Sequence, residues 1–460
     1  MAHPTAARRL ARFVVDLALD EVPGPVVSAA TLLALDTIGN ALAACREDFG
    51  RAVLGVAAGL GGPPESTLLG AAPKVAAANA VLANATLAHG LDFDDTREDA
   101  IVHTGCVAVT TALAVGEARG APGRAVLEAL VAGVEVMCRL GLAVPGALHA
   151  RHFHPTAVTG GFGAAAAAGK LHGLDEDHLV HAFGICGSQA SGIIEYLADG
   201  SWTKRVHPGW AAHAGVVATL LARADFTGPA TVLEGSHGLY EAFAGGHDGA
   251  RLHGLLDSLG HAWEIAQLTF KPYPCGSIAQ PYMDCALRLR EQHRLRPEDV
   301  AAVRCRTAAG PVPRLWEPLA VKQAPPNGYA AKFSLPYLVA VALVKGRAGL
   351  AEFTDAAAAD PDVLRVARRV AYEVDPAIDY PRQFVGDVEI ALAAGNVVRA
   401  RQDRPRGGPD APLTRAEIEA KFRGNAARVL SAAQTERIIA GVNGLAAGEP
   451  PTRLMDSLTS

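Results

Sequence analysis

What most restricts this chain is the density of small residues in helical register over its first 265 positions. VVSAATLLALDTIGNALAAC (26–45), APGRAVLEALVAGVEVMCRLG (121–141) and PGWAAHAGVVATLLARAD (208–225) repeat Ala, Leu and Val at three- and four-residue spacing, with Gly or Pro between segments. Small side chains let helix axes approach closely, so the pattern predicts a tight, largely buried helical bundle. Pro208 is suited to the first turn of its helix and Asp175 to capping LDEDHLVHAFGICGSQAS (174–191). The N-terminal MAHPTAARRLARFVVDLALD reads as an amphipathic first helix rather than a secretory leader, because Asp16 and Asp20 interrupt its apolar run.

After about residue 265 the pattern changes. EDVAAVRCRT (298–307) reads as a strand, and DVEIALAAGNVVRARQD (387–403) alternates on both sides of an AAGN turn, a hairpin signal. KFSLPYLVAVALVKG (332–346) and DVLRVARRVAYEV (362–374) read as helices between them, giving a compact α+β module. From LTRAEIEAKF onward helical periodicity returns, and this last segment is able to close back onto the first.

At 460 residues the chain is too long for one ordinary core. A net charge of −5 without a Lys/Arg block argues against nucleic acid as partner and for a small substrate. Seven cysteines scattered singly, with no C-x-x-C pair, fit reduced cytosolic thiols and offer neither a disulfide framework nor a zinc or iron–sulfur cradle. No uncharged segment looks apolar enough to span a bilayer, so no membrane role is expected.

HGLDFDDT (89–96) crowds Asp92, Asp94 and Asp95 into four residues, in a chain only 19% charged. DDTRE matches the aspartate-rich motif by which terpenoid synthases hold magnesium, but a second metal cluster is missing and 5% aromatic content is thin for such a pocket. A solvated helix end is the plain alternative. Against it stand Phe93 among the acids and His89 and His103 on either side, an arrangement that could bring His89, Asp92, Thr96 and His103 together for acid/base work. In ARHFHPTAVTGGFGAAAAAGKLHG (150–173), His152 and His154 precede a helix opened by Pro155, while Gly160, Gly161 and Gly163 suit close helix packing better than a phosphate loop. Lys204, Arg205 and His207, framed by Trp202 and Trp210, make a natural carboxylate receptor. Lys271, Tyr273 and Cys275 lie in a proline-constrained loop, with Lys332, Ser334 and Tyr337 in the same module; ordinary packing explains each of these equally well.

AHGLDFDDT, HFHPTAVTGGFGAAAAAGKLHGL, DGSWTKRVHPGWAAHAG, FKPYPCG and AAKFSLPY, in that order, resemble the MmgE/PrpD family. That family includes 2-methylcitrate dehydratase-like enzymes, cis-aconitate decarboxylases and an iminodisuccinate epimerase. The resemblance spans nearly the whole chain. It implies a mainly α fold: a large all-helical domain from residues 1–265 and 406–460, with a smaller α+β lid (266–405) inserted. It also implies a homodimer, a site in the cleft between domains, and no metal or organic cofactor; the scattered cysteines place the chain in the cytoplasm. Carried over by position, the site residues are Asp92, Thr96, His103, His154 and Lys204, with Lys271 and Tyr337 as further positions; Arg205, next to Lys204, is read from the sequence as a further carboxylate contact. Two departures stand out: REDAIV between Thr96 and His103 is one residue longer than in the decarboxylases, and Gly276 stands where they carry a histidine.

The chemistry so implied is dehydration of a 2-methylcitrate-like hydroxy acid. His103 and His154 would share the base and acid roles, Asp92 would orient an imidazole, Lys204 would bind carboxylates, and Thr96 would take a hydroxyl or carboxylate. An epimerase, isomerase or decarboxylase of a related polycarboxylate is the near alternative. A magnesium-dependent terpenoid synthase and a helical binding protein without activity are the distant ones.

Overall fold

The computed structural model describes residues 4–380 and 382–458. Met1–His3, Pro381, Thr459 and Ser460, which the sequence reading assigns to the first helix, the lid and the final helical segment, lie outside the described residues. The chain forms two compact units, one of residues 1–268 and 414–460, the other of 269–413.

The first unit is helical. Thr5 starts the Ala6–Asp16 helix by accepting the Arg8 N–H, and Asp175 caps Glu176–Gln189 through the His178 N–H. At the centre, Pro155–His172 packs on Gly123–Ala143 and on Thr203–Arg223. Glycine makes these approaches possible: a Cβ on Gly163 would lie 2.3 Å from Met137 Cγ, and one on Gly215 would lie 2.4 Å from the Gly161 carbonyl oxygen. The glycines after His154 therefore serve packing rather than phosphate binding.

The C-terminal Arg415–Ala426 helix lies on Gly24–Ala44, where Lys421 Nζ is 2.8 Å from Asp36 Oδ1 and Asn425 donates to Asn40 Oδ1 at 3.1 Å. Gly24–Ala44 is long and apolar enough to cross a membrane on length and composition alone, although it carries Asp36 and so is not one of the uncharged segments the sequence reading considered. Most of it, 78% of its apolar window, is buried inside the unit, and Asp36 and Asn40 are buried with it.

Pro208 departs from expectation. The helix runs Thr203–Arg223, so Pro208 sits inside it, and Lys204 and Arg205 occupy its first turn instead of a preceding loop. Proline lacks only the N–H that would reach the Lys204 carbonyl, and the rest of a 21-residue buried helix carries that loss.

The second unit holds a four-stranded sheet in the order 370–374, 300–307, 386–392, 397–402. The hairpin is antiparallel, with Val388 opposite Ala400, whereas 300–307 and 370–374 run parallel with Cys305 opposite Tyr372. That parallel pair corrects the helix expected over 362–374. The helix stops at Ala367, and Val370, Tyr372 and Val374 continue as a strand. The segment carries β-branched and aromatic residues in alternation at its end, and a strand partner decides the matter against local helical spacing. Gln280–His293 and Leu335–Lys345 bury the unit's core with Trp316, Tyr282 and Tyr337.

Candidate active site

The Ala77–His89 helix ends on the first residue of the aspartate-rich stretch, and the chain turns at Asp92, whose φ of 54° is left-handed. Aspartate enters that region more readily than most residues. All three aspartates are buried, so a solvated helix end does not describe them. Asp95 accepts the Thr104 N–H at 3.0 Å, the Thr104 hydroxyl at 2.7 Å and the Gly105 N–H at 2.8 Å, which satisfies the first turn of Gly105–Arg119. Burial, with the nearby Asp94 charge, pushes its carboxyl up to about 6 against those donors. Asp94 Oδ2 accepts from His89 Nδ1 at 2.7 Å, and Asp92 forms a buried ion pair with Lys204.

His103 comes just before the Gly105 helix, its backbone N–H donating to Thr156 Oγ1 at 3.0 Å. Its Nδ1 lies 2.7 Å from the Asp95 carbonyl and 3.1 Å from Thr96 Oγ1. A carbonyl only accepts, so Nδ1 carries the proton and Nε2 is the nitrogen that exchanges one. His154 is the residue before Pro155–His172, anchored by its N–H on the Gly192 carbonyl at 2.8 Å, with Nδ1 3.2 Å from His207 Nδ1. Ring centroids stand 4.8 Å apart for His89 and His103, 5.5 Å for His89 and His154, and 6.1 Å for His103 and His154. Burial, then the neighbouring His89, Lys204, His207 and His103, hold His154 well below the usual imidazole range, and burial takes His207 to about 4. His207 also lines a cleft of about 520 Å³ with Gly192, Tyr196, Thr203 and Trp210.

Asp92, Thr96, His103, His154 and Lys204 thus converge within the first unit. Asp94 meets the His89 imidazole, while Asp92 pairs with Lys204. Thr96 Oγ1 lies beside His103. Arg205 lies with its guanidinium 4.2 Å over the Phe49 ring and 5.7 Å from the Trp202 ring, in a stacking position. Lys271 and Tyr337 belong to the second unit. Lys271 is buried, and the Tyr337 hydroxyl lies 2.9 Å from the Glu352 carbonyl and 3.0 Å from that of Ala357. Cys275 is packed as well, 3.2 Å from Gln280 Nε2 and 3.4 Å from Met283 Sδ. The sequence singled out neither the His89–Asp94 pair nor the part His207 plays against His154. The only available sign was a histidine and an aspartate five residues apart across a helix end. Ligand atoms of His89, His103 and His154, and separately of His89, Asp94 and Cys106, lie close enough to hold an ion.

Residues 8–251 match the family model for the MmgE/PrpD N-terminal domain, and residues 273–445 match that for the MmgE/PrpD C-terminal domain. The chain belongs to the MmgE/PrpD family. Among its relatives is a cis-aconitate decarboxylase of Aspergillus terreus (strain NIH 2624 / FGSC A1156), 25% identical over 443 residues, covering 92% of this chain and 89% of the relative. Cis-aconitate decarboxylases of Mus musculus and Homo sapiens are 29% identical over 385 residues and 28% over 379, each covering 80% of this chain and 75% or 76% of the relative.

Proposed function

We propose that this chain is a lyase acting on a small polycarboxylate by acid/base chemistry between His154 and His103, with Lys204 as the carboxylate-binding cation. The observation that carries the reading is a neutral, buried His154 facing His103 beside the buried Asp92–Lys204 pair. Removing a weakly acidic proton next to a carboxylate needs a neutral base, and His154 is held in that form. The leaving group needs an acid on the other side. His103 fills that role, since its protonated ring would have the Asp95 carbonyl at 2.7 Å and Asp94 Oδ2 at 3.7 Å from Nδ1. Lys204, fixed by Asp92 in the first turn of its helix, stabilises the enolate-like charge that develops in between.

The preferred reaction is loss of water from a 2-methylcitrate-like hydroxy acid, the chemistry the resemblance implies, with Gly276 at the place where that resemblance leads one to expect a histidine in a decarboxylase. The names of the relatives favour a second reading, decarboxylation of cis-aconitate, in which the same residues deliver a proton to the carbon that loses carbon dioxide. Proton NMR in deuterated water, with 2-methylcitrate, citrate, cis-aconitate and iminodisuccinate in turn, separates these outcomes from epimerisation. Dehydration gives a new vinyl or methyl resonance, decarboxylation gives a methylene pair, and epimerisation gives α-proton exchange alone. Turnover that is unchanged by a chelator is expected; no turnover of any of the four sinks the reading. A homodimer belongs to the same proposal, supported by the exposed Ile193, Leu197, Trp202 and Trp210, and sedimentation of the purified chain tests it.

A further inference from the structure

The histidine cluster has the make-up of a metal site as well as of an acid/base pair. His89, His103 and His154 are all buried, and one ligand atom of each lies within 4.8 Å of the others. His89 Nε2 is buried with no hydrogen-bond partner among the described residues. On every ring Nδ1 is already engaged: with Asp94 Oδ2 at 2.7 Å for His89, the Asp95 carbonyl at 2.7 Å for His103, and His207 at 3.2 Å for His154. A carboxylate, a carbonyl and an imidazole on the far nitrogens are the outer-shell partners that orient histidine ligands and raise their basicity, so an ion would be met through Nε2. Tetrahedral zinc with bonds of about 2.0–2.1 Å places its ligand nitrogens about 3.3 Å apart. Ring shifts of about 1 Å would close the site.

We propose that His89, His103 and His154 form a three-histidine site for a first-row divalent transition metal such as zinc, and that the ion, once bound, excludes the polycarboxylate and inhibits. The inhibitory half rests on the acid/base reading above; the binding half does not. The neighbouring group of His89, Asp94 and Cys106 is the weaker ligand set, because burial with Asp94 and Asp95 raises the Cys106 thiol well above its ordinary range and keeps it protonated. An imidazole nitrogen binds without that penalty, and any ring proton on Nε2 leaves to solvent as the ion enters.

Cobalt(II), added to the full-length chain without substrate, is the probe. One cobalt per chain is expected, with the intense visible absorption of a four-coordinate ion, displaced by equimolar zinc. His89→Ala should abolish that absorption with the helical circular dichroism unchanged, and Asp94→Asn should weaken cobalt binding about 10–100-fold. Zinc should stop turnover reversibly, with chelator restoring it and substrate protecting against it. Cobalt that binds only weakly with a six-coordinate spectrum, or identically in His89→Ala, overturns the site. A chain that binds cobalt as described but turns over no polycarboxylate leaves the site standing and removes the functional reading instead. Full turnover without stoichiometric cobalt binding does the reverse.

Discussion

His154 is the residue on which the chemistry turns, and its surroundings specify how activity should depend on pH. An imidazole acting as base is lost when it is protonated. Burial, then the neighbouring His89, Lys204, His207 and His103, lower its pKa well below 6.5, so the acid limb of kcat/KM belongs below the ordinary histidine range. His154→Asn keeps a neutral polar group of similar size and should reduce turnover about 10²–10⁴-fold, with little change in thermal stability. An acid limb at the ordinary histidine value, or near-normal turnover by the variant, would remove His154 from the base position. Asp95 makes the opposite statement about stability. Its folded value, about 6, lies above the reference 3.8, so the stability it contributes is fully present below 3.8 and is lost as pH rises through about 6. Asp95→Asn should flatten the decline in urea midpoint between those limits. The variant should also lower the midpoint overall, because an amide cannot accept from Thr104 and Gly105 on both arms. At this scale the sequence was half legible. Residue type and order pointed to Asp92, Thr96, His103, His154 and Lys204, but which carboxylate meets which imidazole depends on the turn at Asp92, and that turn is fixed only by packing.

The elements that carry these residues are held at a fixed separation by glycine. Gly209 follows Pro208 in the Thr203–Arg223 helix, and a Cβ there would lie 2.2 Å from Thr86 Oγ1 and 2.3 Å from the Leu82 carbonyl oxygen on the Ala77–His89 helix. The first of these helices supplies Lys204 and the second leads into Asp92. Gly209→Ala therefore pushes apart the two ends of the buried ion pair. It should cost about 1–3 kcal/mol from overpacking and reduce turnover by more than that stability loss explains. Gly424→Ala, on an exposed helical position with nothing within 4 Å of the new methyl, should be neutral or slightly stabilising. Thermal melts and turnover of both variants check the pair; equal behaviour of the two would refute the spacer role. Small-residue periodicity foretold helices that pack this closely. The periodicity did not foretell that the helix begins at Thr203, because a proline that suits a first turn is also tolerated within a long packed helix. Nor did it separate helix from strand across 362–374, where the parallel partner at 300–307 decides.

Over the whole molecule, the two ends of the sequence meet in one unit, and the meeting point reaches the site. Lys421, on the C-terminal Arg415–Ala426 helix, approaches Asp36 Oδ1 at 2.8 Å, donates to the Phe93 carbonyl at 2.6 Å and lies 3.8 Å over the Phe93 ring. Phe93 stands between Asp92 and Asp94, so a residue 328 positions further along the chain helps hold the loop that carries both. Returning helical periodicity after residue 406 made such a closure conceivable, but no local pattern could identify Lys421, whose partners come from two distant segments. Its removal is a test of the whole arrangement. Burial raises Asp36 above 3.8, and Lys421 is the largest influence opposing that rise. Lys421→Met strands the carboxylate and should cost about 3–5 kcal/mol. The folded value of Asp36 then rises further, so the stability it contributes is retained in acid and lost toward higher pH, and the deficit should be larger at pH 8 than at pH 5. Adding Asp36→Asn should recover part of the loss, because an amide at that site needs no countercharge. Turnover should stay low in the double variant, since the Phe93 carbonyl still lacks its lysine. Urea unfolding of the single and double variants at both pH values, beside their activity, reads all of this. A Lys421→Met chain as stable as the parent at pH 8 would show that the C-terminal helix does not secure the aspartate-rich loop.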